Sequence, residues 1–190
     1  NVAPATRAPG GREGPGGPEL ALLAWGLLPS WAKDPAGLRP INARAEGIAA
    51  RPMFRDALRR RRALVPADGF YEWTAEGPRK TPWHFRIAGG GPFAFAGIWE
   101  RRETPGAPPF ESFAIVTTGA NALVRTVHLR MPVILDAEAE DVWRRTGELS
   151  PAELARCLAP FDEARMEAWP VSSWVNAPSR EGPRCLEPAG

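Results

Sequence analysis

Val65-Pro66-Ala67-Asp68-Gly69-Phe70-Tyr71-Glu72-Trp73 is the stretch on which the reading of the fold turns. Asp68-Gly69 is a strong turn dipeptide. Phe70 to Trp73 reads as a strand, because aromatic rings suit a pleated, half-buried surface. In an extended chain Phe70 and Glu72 point one way and Tyr71 and Trp73 the other. Glu72 is then a carboxylate among large rings. A partly dry setting disfavours its charged form and raises its pKa, which suits proton transfer near neutral pH. The plain alternative is a solvent-facing glutamate on an edge strand.

The same alternation of turn signal and short strand continues on both sides. With 22 Pro and 19 Gly in 190 residues, the chain is cut into short segments, which favours a strand-rich domain over a helical bundle. Downstream, Pro82 to Ile87, Phe93 to Glu100 and Phe113 to Thr118 read as strands, with turns at Gly77-Pro78 and Gly89 to Pro92. Upstream, Leu20 to Leu28 reads as a buried strand, and the Pro- and Gly-rich residues 1–19 read as an extended arm or loop. Pro52 to Arg60 fits a short helix with Phe54, Ala57 and Leu58 on one face. Ala120 to Val127 fits another short helix, and Val133 to Leu135 a strand. Asp136 is a candidate helix cap. Ser150-Pro151-Ala152-Glu153 is a capping box with Pro at the first helical position. Trp169 to Val175 reads as a last strand.

Composition bounds the function. Hydrophobic residues make up 44%, enough for a core, and the net charge is +2. The sequence pI of about 8.9 permits a basic patch without requiring one. No apolar run approaches the roughly 20 residues that span a bilayer. Two cysteines, Cys157 and Cys185, make no disulfide framework and fit a reducing, cytoplasmic setting. Two histidines and two distant cysteines without ligand spacing argue against a zinc site, and no dinucleotide or phosphate-loop fingerprint implies a cofactor.

Three polar stretches remain. In Ile41-Asn42-Ala43-Arg44-Ala45-Glu46 an extended chain puts Asn42, Arg44 and Glu46 on one face. In His128-Leu129-Arg130-Met131-Pro132 an imidazole able to move protons near neutral pH stands two residues from a guanidinium. In Pro29-Ser30-Trp31-Ala32-Lys33-Asp34 an aromatic stands beside a cation; Trp31 is either a loop anchor or a stacking face for a base or sugar. His84, in a strand between aromatics, reads as structural, and Cys157 as a core residue.

These stretches, in order, resemble the SOS response-associated peptidase family of abasic-site processing proteins. The resemblance rests on Asn42-Ala43-Arg44-Ala45-Glu46, Val65 to Trp73, and Ile115-Val116-Thr117-Thr118 followed by His128-x-Arg130-Met131-Pro132. Asn1-Val2-Ala3-Pro4, Trp25-Gly26-Leu27-Leu28-Pro29-x-Trp31, Pro170-Val171-Ser172 and Val175-Asn176 fit the same pattern, so it covers nearly the whole chain. The resemblance implies a single α+β domain over residues 1–190, a mainly antiparallel sheet curled into a pseudo-barrel with a few short flanking helices. It implies a monomeric sensor of abasic sites in single-stranded DNA that needs no metal or cofactor. In that family an N-terminal Cys, exposed by removal of Met, forms a thiazolidine with the ring-opened sugar. On this pattern Asn42 positions the sugar or the amine, Glu72 transfers protons and His128 assists at the sugar oxygen. Arg44, Arg51 and Arg130 would bind phosphates, and Trp31 and Trp73 would shape the DNA groove. The family's Cys stands ahead of Asn-Val-Ala-Pro, and the sequence begins at Asn1. Neither Cys157 nor Cys185 carries a free α-amine beside its thiol, so the expectation is that the natural protein has the missing segment. The alternative is a non-covalent single-stranded DNA-binding module.

Overall fold

The computed structural model describes residues 1–32, 37–74 and 80–189. The expected Lys33-Asp34 loop and Gly77-Pro78 turn lie outside the described residues. The chain runs β1 (Arg7–Gly14), β2 (Gly17–Trp25), β3 (Asn42–Arg44), α1 (Arg55–Arg60), β4 (Arg62–Ala67), β5 (Phe70–Trp73), β6 (Pro82–Ile87), β7 (Phe93–Thr104) and β8 (Ala107–Gly119). It continues through α2 (Ala122–Arg125), β9 (Arg130–Pro132), β10 (Ile134–Leu135), α3 (Ala137–Arg144), α4 (Pro151–Cys157) and β11 (Met166–Pro170), with short 3-10 turns at Glu163–Arg165, Ser173–Asn176 and Pro183–Leu186.

Five strands close into a ring in the order β1, β2, β8, β7, β4 and back to β1. The closure is made by β7 with β8 and by the Gly11–Leu64 pairing of β1 with β4. The barrel is mixed: β2 runs parallel to β8 at Ala24–Ser112 and Trp25–Phe113, and β3 runs parallel to β8 further along. A second sheet, β11-β6-β5, packs beside it. The α+β, barrel-forming expectation holds, with the ring fully closed and two parallel pairings added.

Alternation along β7 and β8 explains why residues 93–98 of β7 and 113–116 of β8 are apolar on both faces. Phe93, Phe95, Phe113 and Ile115 belong to the core cluster that includes Leu23, Phe85 and Met131. Ala96, Ile98, Ala114 and Val116 belong to the cluster with Leu27, Phe54, Leu58 and Trp143. A strand covered on both faces loses the in–out polarity pattern and reads as one hydrophobic run. The Trp143 indole, fully buried, donates to Gly97 O at 3.1 Å, tying α3 to β7. Buried Arg62 donates to the carbonyls of Trp143, Leu58 and Arg145, which satisfies orphan carbonyls at the ends of α1 and α3.

Several expectations require correction. Residues 1–19 are not an arm: Arg7–Gly14 pairs with β2 at eight positions. Glycine permits this, because a Cβ at Gly10 would lie 2.9 Å from Leu23 Cδ1. The Leu20 to Leu28 stretch is not uniformly buried: Leu20 and Leu22 are 73% and 62% exposed and Leu23 is buried, because no element among the described residues covers the outer face of this hairpin. Trp169 to Val175 is not one strand, since β11 stops at Pro170 and the Ser172 hydroxyl accepts from Trp174 N to open a 3-10 turn. The Pro52 helix starts only at Arg55, and the Val133 to Leu135 strand is shortened to Ile134–Leu135, with a separate strand, β9, just ahead of Val133. The Asp136 cap and the Ser150–Glu153 capping box form as expected.

Candidate functional site at the seam of the two sheets

Glu72 comes from the small sheet. The register Phe70–Phe85, Tyr71–His84, Glu72–Trp83 and Trp73–Pro82 holds β5 on β6. Phe70 stacks on Phe85 at 5.1 Å and anchors this face to the core. One alternation further, Glu72 reaches the edge of that core, with its side chain 25% exposed. On the opposite face Tyr71 and Trp73 pack with Val171, Val175, Trp169 and Trp174. Burial raises the Glu72 pKa above the usual carboxylate range, and the His128 charge works against that rise.

His128 comes from the barrel rim, between α2 and β9. Its backbone N–H donates to Val124 O at 2.9 Å, and Leu129 O accepts from Ala120 N at 3.1 Å. His128 Nδ1 stands 3.8 Å from Glu72 Oε1, within ion-pair range and beyond a direct hydrogen bond. The same nitrogen is 3.2 Å from Arg130 N and 3.0 Å from Arg130 O. Unprotonated, it accepts from that N–H; protonated, it donates to that carbonyl. The ring therefore keeps a backbone partner in either charge state.

Glu72, Trp73, Lys80, His128 and Asn176 line an open cleft of about 490 Å³. The Trp73 indole donates to Asn176 Oδ1 at 2.8 Å. The neighbouring Val175 carbonyl accepts from the Asn1 side chain at 3.3 Å, so Asn1 lies beside the cleft. A second cleft of about 400 Å³ is lined by Glu13, Arg144, Arg145 and Thr146, with Arg144 and Glu13 paired at 2.7 Å.

Of the residues singled out in the sequence, Glu72, Trp73 and His128 meet in this cleft. Arg130 is coupled to it through the backbone hydrogen bonds with His128. Its guanidinium is braced by Glu46 Oε1 at 2.8 Å and Thr117 O at 2.6 Å. That bond holds the Glu46 carboxylate below its usual pKa. Thr117 is the shared point, paired with Arg44 of β3 on one side and with Pro132 of β9 on the other. Asn42 and Arg44 stand exposed on the outer face of β3, as the alternation predicts. They, Trp31 and Arg51 do not line the cleft. Trp31 is 59% exposed in a turn whose Ala32 carbonyl accepts from Arg102, and Arg51 is exposed ahead of α1.

Lys80 and the role of Asn176 were missed in the sequence. The hairpin register would have found Lys80, since pairing Trp73 with Pro82 brings residues just before β6 alongside those just after β5. Asn176 carried no local signal of its position. His84 is structural as expected: it lies 5.1 Å from Tyr71 and 4.8 Å from Trp169, ring to ring. Burial brings its pKa down to about 4.

A half-dry carboxyl facing an imidazole, in a cleft walled by an indole and a lysine, is an arrangement with the chemistry to exchange protons with a polar molecule. The family model described as SOS response associated peptidase (SRAP) matches residues 1–178. Abasic site processing protein YoqW of Bacillus subtilis (strain 168) is 42% identical over 170 residues, covering 88% of this chain and 76% of that protein. Abasic site processing protein HMCES of Mus musculus is 32% identical over 199 residues, covering 88% of this chain and 56% of that protein. A crystal structure of a protein from Bacteroides thetaiotaomicron superposes with a TM-score of 0.87 at 31% identity, covering 97% of this chain and 82% of that one. The chain belongs to the SOS response associated peptidase (SRAP) family.

Proposed function

We propose that this protein processes abasic sites in single-stranded DNA by forming a covalent crosslink at the Glu72–His128 cleft. The observation that carries the reading is the carboxyl raised by burial and held 3.8 Å from an imidazole, with Asn1 anchored at the adjoining turn. The reaction requires an α-amine and a thiol on one residue, the part that the family resemblance assigns to an N-terminal cysteine.

The chemistry follows from that pair. The ring-opened abasic sugar presents an aldehyde. The amine adds to its carbon; two protons pass in turn from nitrogen to the aldehyde oxygen, which departs as water and leaves a carbon–nitrogen double bond. The thiol sulfur then bonds to the same carbon while its proton returns to nitrogen, closing a thiazolidine, so that amine, thiol and aldehyde give the ring plus one water. A carboxyl with a raised pKa gives the proton to oxygen and takes one from nitrogen. His128 steadies the sugar oxygen, and its backbone partners keep the ring placed through both charge states. Asn42 positions the sugar or the amine. Arg44, Arg51 and Arg130 bind phosphates, and Trp31 and Trp73 shape the groove for the strand.

The test is a denaturing gel of the protein expressed from its native gene, incubated with single-stranded DNA bearing one abasic site. A shifted band that survives denaturation, and is missing with intact DNA, is expected. Salt-sensitive binding without such a band would overturn the covalent reading and leave the non-covalent binding module.

A further inference from the structure

The turn that walls the cleft also carries a second cationic feature. In Ser173–Asn176 the last residue lines the cleft and the second, Trp174, faces two guanidinium groups. Arg180 Cζ lies 4.2 Å and Arg184 Cζ 4.0 Å from the Trp174 ring centroid. At the roughly 2 Å rise of a 3-10 turn, Trp174 and Asn176 are close neighbours along the surface. Lys80, exposed, stands on the cleft wall with Asn176.

Stacking changes what these arginines can do. A guanidinium laid on an indole keeps its N–H edge available while the ring fixes its plane, so less side-chain entropy is lost when an oxyanion docks. Arg180 gives one N–H to Trp174 O at 3.4 Å. Arg184 makes only a loose 3.9 Å approach to Glu187, with its own side chain 59% exposed. Trp174 packs against the small apolar cluster of Val171, Val175 and Cys185, so its ring serves as a fixed platform. Bidentate guanidinium groups match the oxygens of a phosphodiester.

We infer that the Arg180–Trp174–Arg184 stack, with Lys80, binds the phosphodiester backbone of the DNA strand where it leaves the cleft. This rests on the DNA reading of the cleft. The contact is to phosphate, so it is independent of base sequence.

The test is equilibrium binding of an oligothymidylate without any abasic site across a range of KCl concentrations. Each lost phosphate contact lowers the slope of log K against log salt by ~0.7 for single strands. The R180Q/R184Q protein is therefore expected to show a slope shallower by about 1.4, and R180K/R184K to keep most of the slope. An unchanged slope in R180Q/R184Q overturns the inference. A measurement on the unaltered protein guards against a tail that unfolds on substitution: phenylglyoxal labelling read by peptide mass. Protection of Arg180 and Arg184 by the oligothymidylate is expected, and equal labelling with and without it overturns the inference. The two readings fail differently. Wild-type protein that binds and crosslinks DNA while the slope is unchanged removes the stack alone; protein that does neither removes the cleft reading, and the stack with it.

Discussion

The barrel and the small sheet use the same residue types and bury them differently. Over residues 93–98 of β7 and 113–116 of β8 both faces are covered, by the barrel interior on one side and by the helices on the other. On β5 all four residues are half-buried, and among the described strands β5 pairs only with β6, at the edge of the small sheet. The first arrangement fixes backbone positions, which is what His128 and Arg130 need at the barrel rim. The second leaves a carboxyl partly dry and still reachable, which is what the proton transfer proposed for Glu72 requires. A site at the seam draws rigidity from one sheet and a shifted pKa from the other.

The largest expected effect lies on the barrel side. Trp143→Ala removes a fully buried indole and its bond to Gly97, and should cost about 3–5 kcal/mol in urea unfolding. A loss below about 1 kcal/mol would mean that α3 does not brace the barrel.

Next comes acid sensitivity, which belongs to the small sheet. Burial holds the His84 imidazole down at about 4 from an ordinary 6.5, so in between the unfolded chain takes a proton that the folded chain refuses. The stability this group contributes is complete above about pH 6.5 and is lost as pH falls toward 4, by about 3 kcal/mol at most. His84→Gln should flatten that part of the stability–pH curve. An unchanged curve would place the acid sensitivity elsewhere.

A smaller effect is expected at the turn that opens β5. A Cβ on Gly69 would stand 2.1 Å from His84 Nε2 and 2.8 Å from Phe85 O. Gly69→Ala should cost about 1–3 kcal/mol, the usual range for overpacking, seen as a lower unfolding midpoint. An undisturbed midpoint would mean that β5 and β6 separate easily.

The sequence made the small sheet's strand, its turn and its carboxylate legible, because turn dipeptides and clustered aromatics are local signals. It made Asn42, Arg44 and Glu46 legible as one polar face, because alternation is local too. It did not reveal β1, whose Gly10 and Gly11 carry no side chains to pattern and whose place is set by backbone pairing and a close approach to Leu23. It did not reveal that Arg130 is braced by Glu46, which depends on β3 and β9 sharing β8 at Thr117. Nor did it show that Asn176 accepts from Trp73, a contact between residues 103 positions apart. Long-range pairing of short strands leaves little trace in either partner alone.

The most direct test of the seam is Glu72→Gln in protein from the native gene, with crosslinking rate on abasic single-stranded DNA and affinity for the same strand measured side by side. Loss of the proton-transfer group should slow crosslinking by about 10²–10⁴-fold, while affinity stays within a few-fold. The unfolding midpoint should hold or rise, since a carboxyl that burial keeps above its usual pKa costs stability when charged. Equal losses in rate and affinity, or a rate that does not change, would contradict the assignment of Glu72 as the proton-transfer group.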